Sequence, residues 1–254
     1  MSYRKGCVAL SESQDYPLLR QVLRSQFVTH TQLFEFMTLG HYEHSRSSFN
    51  WRLRRLVTSG LVVRHNAHLF GKDFVYSISP RGARQLEGAG EYYVPLPTRR
   101  DEADREPEMF HCVELNAIHL SALRAGVLSW WVPEVQVRSQ NELTRVGYAK
   151  DYDAVLTFRL DGREAQVALE YERTAKGAKQ YERIADNVRS EQRLDQFLYL
   201  IPNQHLLSFV SSFFSKTGRR VYFGLVSDWH SRLLDMPVLY PAANRTRSLR
   251  DALV

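Results

Sequence analysis

Three carboxylates and a lysine lie close together in the second half of the sequence. Asp153 sits in a β-rich run, Lys150-Asp151-Tyr152-Asp153-Ala154-Val155-Leu156-Thr157-Phe158. Glu170 and Glu172 end a second run that starts at Ala165, and Leu160-Asp161-Gly162 makes a turn between the two. Side chains alternate along a strand, so Glu170 and Glu172 share a face, as do Asp151, Asp153 and Val155. A hairpin of the two runs whose faces coincide brings Asp153 beside Glu170. Hard oxygen ligands grouped in this way suit Mg²⁺ or Mn²⁺, with water and phosphate completing the octahedron. Lys176 and Gln180 follow within ten residues, at a distance from which they would assist a phosphate or an attacking water, and Glu172 would be a further metal ligand.

A second set of chemically useful residues lies near the start. On a helix running from about Glu43 to Thr58, the side away from Phe49, Leu53 and Leu56 carries Arg46, Ser47, Asn50, Trp51 and Arg54, flanked by Arg52 and Arg55. Arg and Asn make bidentate contacts to guanine and adenine edges, while Ser and Arg bond phosphates. A helix carrying them fits the major groove of B-form DNA. Arg64, His65, His68 and Lys72 follow in a polar segment, within reach of the adjacent backbone or minor groove. His41-x-x-His44 and His65-x-x-His68 have no Cys or carboxylate partners at recognised metal spacing, so they read as polar loop histidines.

The elements that must position these residues are legible in outline. Leu18, Leu19, Val22 and Leu23 give the stretch from Asp15 to about Ser25 a helical apolar stripe. Thr29 with Gln32 has the form of a capping box, and Leu33, Phe34, Phe36 and Met37 follow before Gly40. After the arginine-bearing helix come two strands, 61–64 and 74–78, and then Ser79-Pro80 opening a closing helix. Pro95 to Pro107 holds three prolines and dense charge and reads as a linker. Beyond it lie a helix over 110–125, a strand over 130–137, the carboxylate hairpin and a helix from Thr174. In that helix Ala178, Tyr181, Ala185 and Val188 face inward, and Lys176, Lys179, Gln180 and Arg183 face outward. A buried strand over 197–201, a helix from about Leu206 and a last strand over 220–226 complete the series. The expected organisation is therefore 1–94, a linker 95–107, and 108–254.

Charge supports this division. The chain has 254 residues and a net charge of +6. Residues 1–100 hold 14 Lys and Arg against 7 Asp and Glu, a net +7, and the remainder holds 20 against 21, a net −1. A basic excess confined to one part points to a nucleic-acid-binding module joined to one with different work. With 44% hydrophobic residues, 24% charged residues and no long apolar run, the composition excludes a membrane span and low-complexity disorder. Two cysteines, Cys7 and Cys112, form neither a zinc pattern nor a disulfide framework, so a cytoplasmic location is expected.

Helix, helix, helix, hairpin, helix is the winged helix-turn-helix order, and the stretch from Leu53 to Leu86 resembles that superfamily, with S-G-L-V ending the basic helix and I-S-P-R-G opening the last one. The later elements follow the order of a restriction-endonuclease-like (PD-(D/E)XK-type) α/β core. The run L-E-Y-E-R-T-A-K-G-A-K-Q-Y-E-R-I, residues 169–184, is similar to the signature of the plasmid replication-relaxation family, and His111, Glu134 and Asp153 match it as well. That resemblance implies an N-terminal winged helix joined to a nuclease-like domain, encoded on plasmids or other mobile elements. The sequence departs from the active-nuclease pattern at two places: Tyr152 stands in place of the proline before the aspartate, and Glu172 in place of the lysine. That lysine normally orients water and stabilises developing phosphate charge, a role left to Lys176 here.

Two readings stay open from sequence. One is a double-stranded-DNA-binding protein, expected to be a homodimer, that regulates transcription, replication or mobilisation, with replication or mobilisation proteins as partners and a degenerate nuclease-like core. The other is an Mg²⁺- or Mn²⁺-dependent DNA endonuclease targeted by the winged helix, with Asp153 and Glu170 as metal ligands. The apolar tail (Trp229, Leu233, Leu234, Met236, Leu239, Tyr240) serves either a dimer interface or the domain's own core.

Overall fold

The computed structural model describes residues 9–65, 71, 73–94, 102–160 and 162–254, the side chains of 102–104 excepted. Contacts divide the chain into two compact units, and the division falls inside one helix, between Asn116 and Ala117.

The first unit runs α1 (Asp15–Ser25), β1 (Val28–Thr29), α2 (His30–Leu39), α3 (Arg46–Thr58), β2 (Val62–His65), β3 (Val75–Ile78) and α4 (Pro80–Gly88). This is the order read from the sequence, with β1 added; β1 and β2 flank β3 in a three-stranded antiparallel sheet. Both arms of the expected capping box form. The Gln32 N–H donates to Thr29 Oγ1 at 3.2 Å, and the Thr29 N–H donates to Gln32 Oε1 at 3.3 Å. That box satisfies two otherwise orphaned groups at the start of α2. Ser79 caps α4 by accepting from the Gly82 N–H at 2.9 Å, with Pro80 at the first helical position. The core is built from Leu18, Leu19, Val22, Leu33, Phe49 and Leu56, all fully buried.

The next helix, α5 (Glu102–Arg124), is longer than the sequence reading allowed. The expected linker is helical from Glu102 and Pro107 lies inside the helix, because the Ala, Glu and Arg residues around that proline are strong helix formers. The segment 108–116, expected in the second module, belongs to the first unit. Gln32 Nε2 donates to the Val113 carbonyl at 2.7 Å, and Asn116 Nδ2 to the Phe27 carbonyl at 2.8 Å.

The second unit continues with β4 (Leu128–Pro133), α6 (Glu134–Leu143), β5 (Ala154–Leu160), β6 (Arg163–Tyr171), α7 (Ala178–Ser190), β7 (Gln196–Ile201), α8 (Gln204–Ser212), β8 (Arg220–Leu225), α9 (Val226–Arg232), β9 (Pro237–Tyr240), β10 (Arg245–Ser248) and α10 (Leu249–Leu253). The fold is mixed α/β. Seven strands form one sheet in the order β10-β9-β8-β7-β6-β5-β4, parallel between β6, β7 and β8 and antiparallel elsewhere. The parallel pairs need crossovers, and α7 and α8 supply them. Residues 134–137, expected as strand, instead open α6, since Pro133 ends the β4 pairing and its fixed φ suits a helix entry. The register between β4 and β5 slips between Leu128 and Trp130.

One sheet face presents Val155, Ala168, Phe197, Tyr199, Ile201 and Phe223 to Tyr181, Ala185 and Val188 of α7 and to Leu206, Leu207 and Val210 of α8. Ala178, expected on that inner side, is exposed because α7 begins at that residue and not at Thr174. Trp229, Leu234 and Met236 are buried, and Leu239 packs against the same core. These tail residues therefore serve the domain's own interior.

Candidate nucleic-acid interface and carboxylate cluster

In the first unit α3 exposes Arg46, Ser47, Asn50, Trp51 and Arg54, and it buries Phe49, Leu53 and Leu56. Residues 46, 50 and 54 follow one another at helical spacing and so form one row. Trp51 is 62% exposed, unusual for so large an apolar side chain. Arg46 lies with its guanidinium 4.7 Å from the Phe34 ring, and its Nη2 is 3.0 Å from His30 Nδ1. His30 also hydrogen-bonds Asn50 and meets the Phe49 ring edge-on at 5.1 Å. Burial pushes the His30 pKa down and the nearby Arg46 charge adds to that, favouring the neutral imidazole that accepts from Arg46. The sequence reading missed His30. The capping box fixes it at the first position of α2 and was the available clue.

Two of the expected surface arginines do other work. Arg52 is 7% exposed. Its Nε donates to Glu43 Oε1 at 2.7 Å, Nη1 to Asp15 Oδ1 at 3.2 Å and Nη2 to Gln14 Oε1 at 2.5 Å. Arg55 bonds Asp15 and, at 3.0 Å, the Ala9 carbonyl, and its guanidinium lies 5.3 Å from the Trp51 ring. Burial works to raise the Asp15 pKa, but hydrogen bonds from Arg55, the Ser11 N–H and Arg52 outweigh it and hold the carboxyl below its ordinary range. Such a buried charge persists only when it is paired. Arg52 is thus a core cation and not a DNA contact. His65, also expected on the surface, is buried with Nε2 2.8 Å from Ser77 Oγ and its ring 5.4 Å from Phe27. Arg64 is exposed, with its guanidinium 4.7 Å from the Phe74 ring. His68 and Lys72 lie outside the described residues.

In the second unit the β5–β6 hairpin has the anticipated register. Ala154 pairs with Leu169 and Val155 with Ala168, which sets Asp153 across from Glu170. Asp153 Oδ2, however, accepts from the Tyr171 N–H at 2.7 Å. Lys150 Nζ donates to Glu170 Oε1 at 2.6 Å, and Lys176 Nζ to Glu172 Oε2 at 2.7 Å. Glu170 and Glu172 are both buried. Burial pushes the Glu170 pKa up to about 7, with Asp153 adding to the rise and Lys150 opposing it. Burial also disfavours the Lys176 charge, but the bond to Glu172 and the charges of Glu170 and Asp153 keep its pKa above the ordinary value.

Tyr152, in the place of the pattern's proline, is fully buried and donates from its hydroxyl to Glu191 Oε2 at 3.0 Å. Glu191 also accepts from the N–H groups of Ala149 and Arg193, each at 2.8 Å, and so pins the approach to β5. Gln180 is exposed in the first turn of α7. Lys150 was not among the anticipated residues, and since it precedes the strand, alternation gave no signal for it. The donor set as it stands does not fit a divalent cation. Each of the three carboxylates is held by a lysine or a backbone N–H, and among the described residues no group of three His, Cys, Asp or Glu is arranged to hold a metal. No helix among the described residues is long and apolar enough to cross a membrane.

No family model matches the chain, and no curated protein matches it either. A solved structure of restriction endonuclease FokI bound to DNA aligns over 89% of this chain and 45% of that one, at 10% identity and a TM-score of 0.25. The chain spans less than half of that protein's length, and a likeness of this strength carries no argument. The replication-relaxation resemblance rests on the sequence motif alone.

Proposed function

We propose that the chain is a duplex-DNA-binding protein whose first unit is a winged helix reading the major groove with α3, and whose second unit is a restriction-endonuclease-like core that has lost its catalytic arrangement. The observation that carries this reading is the division of side chains on α3. Arg46, Asn50 and Arg54, able to contact bases and phosphates, are outward, while the cation of the same helix that points inward is neutralised by Asp15 and Glu43. The succession α5, β4, β5, β6, α7, β7, α8, β8, with α6 inserted, supports the nuclease-like assignment of the second unit. Lysine capping of Glu170 and Glu172 supports its degeneracy. The motif over 169–184 points to replication, transcription or mobilisation of a plasmid-like element as the regulated process. A homodimer on a palindromic target is in keeping with helix-turn-helix readers.

Electrophoretic mobility shift tests the reading. Arg54→Ala or Asn50→Ala is expected to lower affinity for the cognate duplex by about 1–3 kcal/mol each and to relax base preference at one position. Unchanged affinity on both cognate and random duplexes would eliminate α3 as the reading element.

A further inference from the structure

At the far side of the seven-stranded sheet, three arginines gather on one face. Tyr222 of β8 and Tyr240 of β9 have ring centroids 5.7 Å apart, and Arg245 of β10 pairs in register with Tyr240. Opposed residues of an antiparallel pair share a face, as do residues two apart on a strand. Arg220, Tyr222, Tyr240, Arg245 and Arg247 therefore project together, and four of them line one shallow recess with Asp251. Arg220, Arg245 and Arg247 are exposed and none makes an ion pair among the described residues. Neighbouring arginines do: Arg219 meets Asp195 at 3.8 Å and Arg250 meets Asp235 at 3.3 Å. The acidic side chain of the recess, Asp251, accepts from Ser248 Oγ at 2.6 Å. Tyr222 is held in place by donating to the Ala252 carbonyl at 2.9 Å. The surface is thus a β platform on which three exposed guanidinium groups face a single carboxylate side chain of the recess, Asp251, with which none of them forms an ion pair.

We propose that this arginine face is a second, sequence-independent contact for the phosphate backbone of duplex DNA, an inference that rests on the DNA-binding reading of the chain. Guanidinium groups suit phosphate oxygens through their fixed fork of donors. On a strand, Arg245 and Arg247 stand about 7 Å apart, which lets them engage separate phosphates. Such contacts add affinity and salt dependence and carry no base preference.

The test is a salt titration of full-length protein binding to a random-sequence duplex. The triple variant R220A/R245A/R247A is expected to reduce the slope of log K against log salt by about 2.7, from about 0.9 per phosphate neutralised. It is expected to weaken cognate and random duplexes by the same factor, and an Arg→Lys triple variant is expected to keep most of the slope. R46A/N50A/R54A is expected to retain residual binding to random duplex that the combined six-fold variant loses. An unchanged slope in R220A/R245A/R247A, with binding still abolished by R46A/N50A/R54A, overturns this proposal and leaves the α3 reading standing. The reverse pattern overturns the α3 reading alone, and absence of any duplex binding overturns both. Loss of binding to anionic phospholipid vesicles, with DNA binding intact, would assign the face to a membrane surface and overturn the proposal.

Discussion

The outward row of α3 and the carboxylate cluster beside β6 both gather charged side chains, and they solve the charge problem in opposite ways. On α3 the arginines at 46 and 54 stay in solvent, and the carboxylates Asp15 and Glu43 are used on the inner side by Arg52. In the cluster beside β6 Glu170 and Glu172 are buried and Asp153 is half-buried, and each is already answered, Glu170 by Lys150, Glu172 by Lys176 and Asp153 by a backbone N–H. Unanswered exposed charge is available to a ligand. Buried and answered charge holds the fold together, and opening it to a ligand means first breaking its internal bonds.

The most severe way to probe this contrast lies within α3 itself. Arg52→Ala is expected to cost roughly 3–5 kcal/mol of stability, because it leaves the buried Glu43 carboxylate without a cation and takes one of its two arginines from Asp15. Arg54→Ala, two positions away and exposed, is expected to stay within about 0.5 kcal/mol. Urea denaturation of the two variants measures the difference, and equal losses would erase the distinction between inner and outer arginines.

A smaller effect is expected at Glu170. Its folded pKa of about 7 exceeds its ordinary value of 4.5, so the folded state holds this proton more tightly than the unfolded chain does. Its contribution to stability is then fully present below 4.5 and is lost as pH rises through about 7. Lys150→Met removes the cation that opposes the rise, so the loss should deepen and extend to higher pH. Every further tenfold gain in the folded state's proton affinity is worth about 1.4 kcal/mol. Urea midpoints followed from mildly acidic to mildly alkaline buffer would show it. A pH dependence identical to wild type would mean that Lys150 does not stabilise the Glu170 carboxylate.

The smallest expected effect is none. Supercoiled plasmid incubated with the protein and Mn²⁺ is expected to stay intact, and Asp153→Ala to behave the same way. Nicking by the wild type that Asp153→Ala abolishes would restore the endonuclease reading and place the cluster among working sites.

Much of the frame was readable from residue order. The capping box at Thr29, the Ser79-Pro80 helix start and the β5–β6 register all depend on local chemistry or strict alternation, and all formed. What stayed hidden depended on long-range partners. Arg52 sits three residues after Phe49 and four before Leu56, on the inner side of the helix, yet it was expected beside the outward row because nothing local revealed Asp15 and Glu43 as its counter-charges. His65 was misplaced because β2 buries its two ends and exposes its middle, breaking the alternation that would have kept it in solvent. Lys150 escaped notice because its partner lies twenty residues on, across the hairpin. Tyr152 looked like damage to a motif, whereas the fold uses it as a buried donor to Glu191.

The slipped register of β4 carries a consequence for how molecules of this protein behave in company. An outermost strand normally offers a regular row of amide donors on which another chain can stack, the first step toward fibrils. Here the kink between Leu128 and Trp130, followed by a proline that has no amide hydrogen, interrupts that row. At the opposite margin, arginines at 245 and 247 repel a like margin brought alongside. Smoothing the kink while neutralising those charges is expected to promote aggregation at the sheet's margins.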